Sequence, residues 1–293
     1  MKILLTGASG FIGWNLCNSY QKDYHITGVV HKHSLNLPGI EVKSADLTQY
    51  SELTSLFQEV NPDAVIHLAS MSSPNQCEKH PKASHRINVE VPINVAGLCS
   101  DRGIGCVFTS TDLVFGGNMP PYSENDSVNP SNRYGDHKAI AEEEMLSRYP
   151  QTAICRLSLV YGFPGPHSSN FFVQMIDSLG QDKHLTLFTD EVRTMVSVRA
   201  VIEGILLALE KVHGIIHLGG RERLTRYEFG RQLAHVFAYE NAKLVRCSQQ
   251  DITMPASRPT DVSLDSSMAR DLGFNPWPVE KELEYLCQGY ISE

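Results

Sequence analysis

Short apolar runs alternate with amphipathic stretches along the first 220 positions. Residues 3–5, 25–30, 40–45, 64–69, 105–110, 152–160 and 214–218 have the length and bounding turn residues of strands. Apolar spacing of three and four residues predicts helices over 11–20, 50–60, 82–101, 133–149 and 198–211. Pro92 falls inside the third of these and predicts a kink. Strands that are apolar throughout and separated by helices predict an α/β fold: a doubly wound parallel sheet of about seven strands, covered on both faces. Residues 70–81 and 112–132 are rich in Ser, Pro, Asn and Gly and are expected to be loops. Beyond Gly162 the rhythm loosens. Residues 163–191 are irregular with one helix near Phe171, and a helix over 226–239, a strand, an Arg258-Pro259 loop and a terminal helix follow. The expected division is 1–162 plus 192–220 as a nucleotide-binding half, and 163–191 plus 221–293 as a smaller lid over its C-terminal edge.

The first strand breaks at Gly7, and Gly10 and Gly13 follow at three-residue spacing before the first helix. Free N–H groups at a helix N-terminus, aided by the helix dipole, bind a pyrophosphate. An ordinary strand-to-helix turn could carry the same glycines; their position on the first strand of an alternating chain favours dinucleotide binding.

Composition narrows the partners. The 25 Lys and Arg against 33 Asp and Glu leave a net charge of −8, which argues against nucleic acid and anionic membranes. No apolar stretch approaches a membrane span, and the first apolar run is too short for a leader, so a cytoplasmic location is expected. Seven scattered cysteines without C-x-x-C pairs suit reduced thiols, and the 12 histidines show no ligand spacing, so no metal site is expected.

Tyr134 and Lys138 stand four apart at a helix start and share a face. An ammonium beside a phenol favours the phenolate, so Tyr134 is expected to have a lowered pKa and to act as a general acid or base. The same spacing recurs at Tyr239 and Lys243, which has no comparable context. Upstream of the first copy, the fifth strand ends in Thr109-Ser110-Thr111-Asp112, at the ligand edge of the expected sheet.

Three groups of residues carry a resemblance: the turn TGASGFIG at 6–13, Ser110-Thr-Asp-Leu-Val-Phe-Gly116, and Asn129-Pro130-x-x-x-Tyr134-Gly135-x-x-Lys138. Together they resemble the extended short-chain dehydrogenases/reductases, and within them the dTDP-4-dehydrorhamnose reductases and their relatives, which include the NADP-binding regulatory subunit of methionine adenosyltransferase. The likeness continues through Tyr227-Glu-Phe229, Arg258-Pro259 and Pro276-Trp277, nearly the whole chain. It implies a Rossmann-like fold and a catalytic set of Thr111, Tyr134 and Lys138, with Lys138 also holding the nicotinamide ribose. Expected cofactor contacts are Gly7, Gly10, Phe11, Ile12 and Gly13 in the turn, Asp46 and Leu47 by the adenine, Leu68, Ala69 and Ser70 along the dinucleotide, Asn88 behind the site, and Leu159 and Val160 near the nicotinamide. Met71, Asp112, Asn170, Phe171 and Arg193 are expected to face the substrate.

The second strand ends in His31-Lys32-His33-Ser34, with no carboxylate for a ribose hydroxyl. His31 and Lys32 suit a 2′-phosphate, so NADP(H) is expected and NAD(H) is the alternative. The resemblance implies reduction of a nucleotide-linked 4-keto-6-deoxy sugar, with a sugar-nucleotide epimerase or dehydratase and a non-catalytic NADP-binding subunit as alternatives; it also allows a homodimer. Arg199-Ala200 stand where the family often has an acid, a Pro-Thr pair is replaced around Thr194-Met195-Val196, and residues 73–79 (SPNQCEK) depart from the reductases. These departures bear on the substrate lid rather than on the fold.

Overall fold

A computed structural model describes residues 1–291; the last two positions of the expected 221–293 segment lie outside the described residues. The chain runs β1 (Lys2–Thr6), α1 (Phe11–Tyr20), β2 (His25–Val30), β3 (Glu41–Ser44), α2 (Tyr50–Val60), β4 (Ala64–His67), α3 (Pro74–Lys79), α4 (Pro81–His85), α5 (Val91–Arg102), β5 (Gly105–Thr111) and α6 (Arg133–Arg148). It continues with β6 (Ala153–Leu157), β7 (Val160–Tyr161), α7 (Phe171–Gly180), β8 (Leu185–Phe188), β9 (Val192–Arg193), β10 (Val196–Ser197), α8 (Val198–Lys211), β11 (Gly214–Leu218), β12 (Leu224–Thr225), α9 (Arg226–Val236), β13 (Leu244–Cys247), α10 (Ser267–Asp271) and α11 (Val279–Ile291).

Seven strands form one parallel sheet in the order β11-β6-β5-β4-β1-β2-β3. Strand alternation divides the core. Ile3 and Leu5 pack with Val107, Cys155 and Ile216 on the α1 and α8 face, while Leu4 packs with Val65, Phe108 and Ile154 on the α2, α5 and α6 face. Both faces of the central strands are covered, which is why β1, β4 and β6 are buried almost throughout, whereas the edge strand β3 (Glu-Val-Lys-Ser) is largely exposed. The winding reverses at β1, with β2 and β3 on one side and β4 to β6 on the other. The C-terminal ends of β1 and β4 therefore flank a crevice, where such sheets bind ligands.

Several boundaries differ from the expected ones. The sixth strand stops at Leu157 rather than at 160, because the Ser158 hydroxyl turns toward Asp112 (3.3 Å to Oδ2) and Val160–Tyr161 leaves to pair with β10. The expected loop 70–81 contains α3, started by Pro74 at its first position and by the Ser73 hydroxyl over the Gln76 N–H. The single helix expected over 82–101 is α4, a π-helical turn at Arg86–Glu90, and α5. Pro92 has no N–H to donate, and the ladder is offset there: Val91 N donates five residues back, to Arg86 O. The ninth helix ends at Val236, short of 239, as Ala238 takes a positive φ of 54°.

The later segments gather a third core, in which Phe172, Ile176, Leu187, Phe229, Leu233 and Leu283 join α7, β8, α9 and α11. Arg199, standing where the resemblance expects an acid, bridges this layer to the sheet layer. Its guanidinium pairs with Glu203 (2.6 Å) and Glu282 and lies 4.0 Å from the Trp277 ring centroid. Among the described residues no helix is long and apolar enough to cross a membrane.

Candidate active site

The β1–α1 turn approaches its neighbours more closely than any side chain allows. Gly7 has φ 71°, and a Cβ there would lie 2.8 Å from Ala69 N; a Cβ on Gly13 would lie 2.3 Å from Gly7 O. Gly10 precedes α1 without a side-chain cap, and the first turn carries no acid. The first N–H groups of α1 thus remain available to an anion.

A cavity of about 1340 Å³ runs from this turn across the crevice. Phe11, Ile12, His31, Lys32, Asp46 and Leu47 line one arm, and Leu68, Ala69, Ser70 and Met71 its floor. Thr111, Asp112, Tyr134, Lys138, Leu159, Val160 and Arg193 line the other end. Three expected residues do not line it. Asn88, in the π-helical turn, is fully buried; its Oδ1 accepts from Met71 N (2.9 Å), and its Nδ2 donates to Met71 O (3.1 Å) and Ser84 Oγ (3.2 Å). It holds the backbone of the cavity floor from behind. Asn170 caps α7, accepting from Val173 N and donating to Gly162 O, and Phe171 lies beneath the Arg226 guanidinium, 3.9 Å from its ring centroid.

Helix α6 begins against the loop that follows β5. Asn132 Oδ1 accepts from Gly135 N (3.0 Å), and a Cβ on Gly135 would lie 2.0 Å from Leu113 O. That contact turns Tyr134 and Lys138 onto the end of β5. Lys138 is 2% exposed; its Nζ donates to Thr109 O (2.8 Å) and sits 4.3 Å from the Phe108 ring centroid. Burial pushes the ammonium down to about 7. The Tyr134 phenol moves up, chiefly by burial, with the Thr111 hydroxyl pulling the other way. The expected lowering of the phenol is therefore overturned in this state: Lys138 spends its hydrogen bond on Thr109, and desolvation outweighs its field. Thr111 Oγ1 accepts from Leu113 N and donates to Asp112 Oδ1, both at 3.2 Å. Burial pushes Asp112 up to about 6, against the pull of Arg193, whose Nε lies 3.5 Å from Oδ2.

Sequence reasoning missed the companions of Arg193. Glu191 lines the cavity and is 4% exposed, with carboxylate oxygens 3.7 Å from Arg193 Nη2 and 3.8 Å from Arg258 Nη1. Half-buried Arg226 completes the group, its guanidinium pushed down to about 10 by desolvation. The only signals were the charged run Asp190-Glu191-Val192-Arg193 and the Arg258-Pro259 landmark. The second Tyr/Lys pair has no such setting: Lys243 forms an exposed ion pair with Asp182 (2.6 Å).

A doubly wound parallel sheet with a glycine turn, and a Tyr-x-x-x-Lys helix facing the end of β5, is the architecture of the extended short-chain dehydrogenases/reductases. The RmlD substrate binding domain family matches residues 1–290, and the chain belongs to it. It is 28% identical over 98% of its length to the probable low-salt glycan biosynthesis reductase of Haloferax volcanii, covering 97% of that protein. It is 26% identical to methionine adenosyltransferase 2 subunit beta of Bos taurus, over 93% of this chain and 82% of that one. The dTDP-4-dehydrorhamnose reductase of Bacillus anthracis str. Ames, solved in complex with NADP, superposes with a TM-score of 0.83 at 25% identity, over 100% of this chain and 99% of that one.

A buried cation whose folded pKa lies near 7, below its ordinary 10.5, binds fewer protons in the folded than in the unfolded state between those values. Its charge costs stability most below pH 7, and the cost fades as pH rises toward 10.5. Lys138→Met should therefore be more stable than wild type at pH 6.5, by on the order of 2–4 kcal/mol, with the gain closing toward pH 10. Thermal unfolding across that range checks this; a less stable variant at pH 6.5, or a difference independent of pH, would contradict it.

Proposed function

We propose that this protein is an NADPH-dependent reductase of the C4 ketone of a nucleotide-linked 4-keto-6-deoxy sugar. The observation that carries the reading is the convergence of Thr111, Tyr134 and Lys138 at one end of a cavity whose other end is the glycine turn. The turn fits a dinucleotide, since it is a cradle that a single Cβ at Gly7 or Gly13 would fill. His31 and Lys32 line the arm beyond β2, with no carboxylate on that strand end, which supports NADP(H) over NAD(H). In this reading Gly7, Gly10 and Gly13 admit the pyrophosphate, and segments 163–191 and 221–293 form the substrate lid.

Bound NADPH supplies the hydride. Tyr134 delivers its phenolic proton to the carbonyl oxygen; a phenol held above its ordinary pKa keeps that proton until negative charge develops beside it. Thr111 orients the same oxygen, which requires its hydroxyl proton to swing away from Asp112. Lys138, whose ammonium donates to Thr109 O, would hold the ribose of the bound cofactor, and its charge would stabilise the phenolate left behind. Arg193 and Arg258, held by Asp112 and Glu191, place two guanidinium groups at the substrate end that are able to bond an anionic nucleotide sugar.

A second reading is favoured by the likeness to methionine adenosyltransferase 2 subunit beta: an NADP-binding subunit whose triad is not used. An epimerase or dehydratase would instead retain its cofactor through purification and show no net NADPH consumption. Tyr134→Phe separates catalysis from binding. It should lower turnover by about 100-fold or more while NADPH binding, followed by fluorescence, stays within a factor of about two. Unchanged turnover would sink the proton-transfer role. Lys32→Ala should raise the KM for NADPH about tenfold and leave that for NADH unchanged, as expected for one lost charge-assisted contact. Equal effects on both cofactors would remove Lys32 from the 2′-phosphate site.

A further inference from the structure

Beneath the triad lies a buried ionic group to which the proposed chemistry assigns no part. Glu142 follows Lys138 by one helical turn on the inner face of α6 and is 3% exposed. Its carboxylate is gripped by Arg156 of β6, also 3% exposed, with Nε 3.1 Å from both oxygens and Nη2 2.7 Å from Oε2. Arg156 in turn lies 5.1 Å from the Phe115 ring centroid, and its Nη1 is 3.4 Å from His217 Nε2. Both partners of His217 Nδ1 are backbone carbonyls, Tyr122 O (3.1 Å) and Asp265 O (3.2 Å). Nδ1 therefore carries the hydrogen, Nε2 offers its lone pair to Arg156, and the ring is neutral.

We propose that the Glu142–Arg156 pair sets the charge of Lys138, Glu142 supplying the counter-charge and Arg156 attenuating it, so that both are positioning residues for the triad. Among the described residues no carboxylate is in hydrogen-bond contact with Lys138, which touches Thr109 O and the Phe108 ring. The other titratable groups facing it are Tyr134 on α6, Cys77 on α3 and His67 on β4. His67 is pushed down to about 3, chiefly by burial, and the Cys77 thiol is moved up by burial, so both are neutral near pH 7. The Glu142 carboxylate raises the Lys138 pKa, and desolvation outweighs it. Burial is the main cause of the lowering to about 7, and the Glu142 carboxylate, 2.7 Å from Arg156 Nη2, offsets it only in part.

The catalytic relevance of this pair rests on the reductase reading, but the coupling itself does not, and it is tested without substrate. Protein labelled with ε-¹³C-lysine is titrated by NMR, with Lys138→Met identifying the resonance. Glu142→Gln should lower the Lys138 pKa by about one unit or more, and Glu142→Asp, which keeps a carboxylate but withdraws it, by less. Arg156→Met should raise it, and Arg156→Lys should restore the wild-type value. A pair that only holds the fold together would differ in the Glu142 variants: their loss of the pair would admit water to Lys138 and move its pKa up toward that of an ordinary lysine, where the proposal expects a fall. An upward or absent shift in both Glu142 variants, or a fall or absent shift in Arg156→Met, would overturn the proposal. Loss of hydride transfer with the expected titration shifts would instead count against the reductase reading alone.

Discussion

The site depends on how closely the β1–α1 turn can approach the end of β4. Gly7 backs onto Ala69 N, and Gly13 lies over Gly7 O at distances that exclude any side chain. This lets α1 start directly over the sheet, with its first N–H groups uncapped and facing the crevice that the strand order opens between β1 and β4. The remaining cavity walls are the ends of strands fixed by that sheet: His31 after β2, Leu68 after β4 and Thr111 at the end of β5.

At the far end, burial sets the chemistry. It shifts the phenol and the ammonium in opposite directions, raising Tyr134 and bringing Lys138 to about 7. An acid that holds its proton beside a cation that titrates near neutrality is a workable pair for protonating a carbonyl oxygen. The cost is a charge in the core, eased by the Thr109 carbonyl and the Phe108 ring and, through Glu142, by an ion pair one turn along the helix. The acidic and basic groups of the cavity wall are arranged similarly: Glu191 between Arg193 and Arg258, and Asp112 between Arg193 and the Thr111 hydroxyl.

Much of this was legible in the sequence because it follows from local pattern. The seven sheet strands, the glycine turn and the Tyr134–Lys138 helix fall where apolar period and turn residues place them, and the family resemblance fits the matched family. What was not legible arises from long-range contacts. Nothing local to residues 86–90 announces a π-helical turn; it arises because Pro92 cannot donate and Asn88 is drawn to the Met71 backbone. The short helix α3 was hidden in a Ser/Pro/Asn-rich run, though Ser73-Pro74 is a helix-start signal; Glu78 ties it to Arg133 N (2.8 Å) across 55 positions. The direction of the Tyr134 shift was misjudged because residue spacing reports a neighbouring charge and not the depth at which both groups lie. Glu191 and Arg226 join Arg193 and Arg258 only when segments far apart in the chain are brought together by the fold.

The central claim is hydride transfer to a keto sugar, and the most direct measurement is loss of reduced-nicotinamide absorbance. Purified protein is mixed with NADPH, and separately with NADH, in the presence of a nucleotide-linked 4-keto-6-deoxy sugar. The account predicts substrate-dependent oxidation, faster with NADPH than with NADH. No oxidation by protein that demonstrably binds NADPH would contradict it and leave the glycine turn and the triad in the service of a non-reductive role.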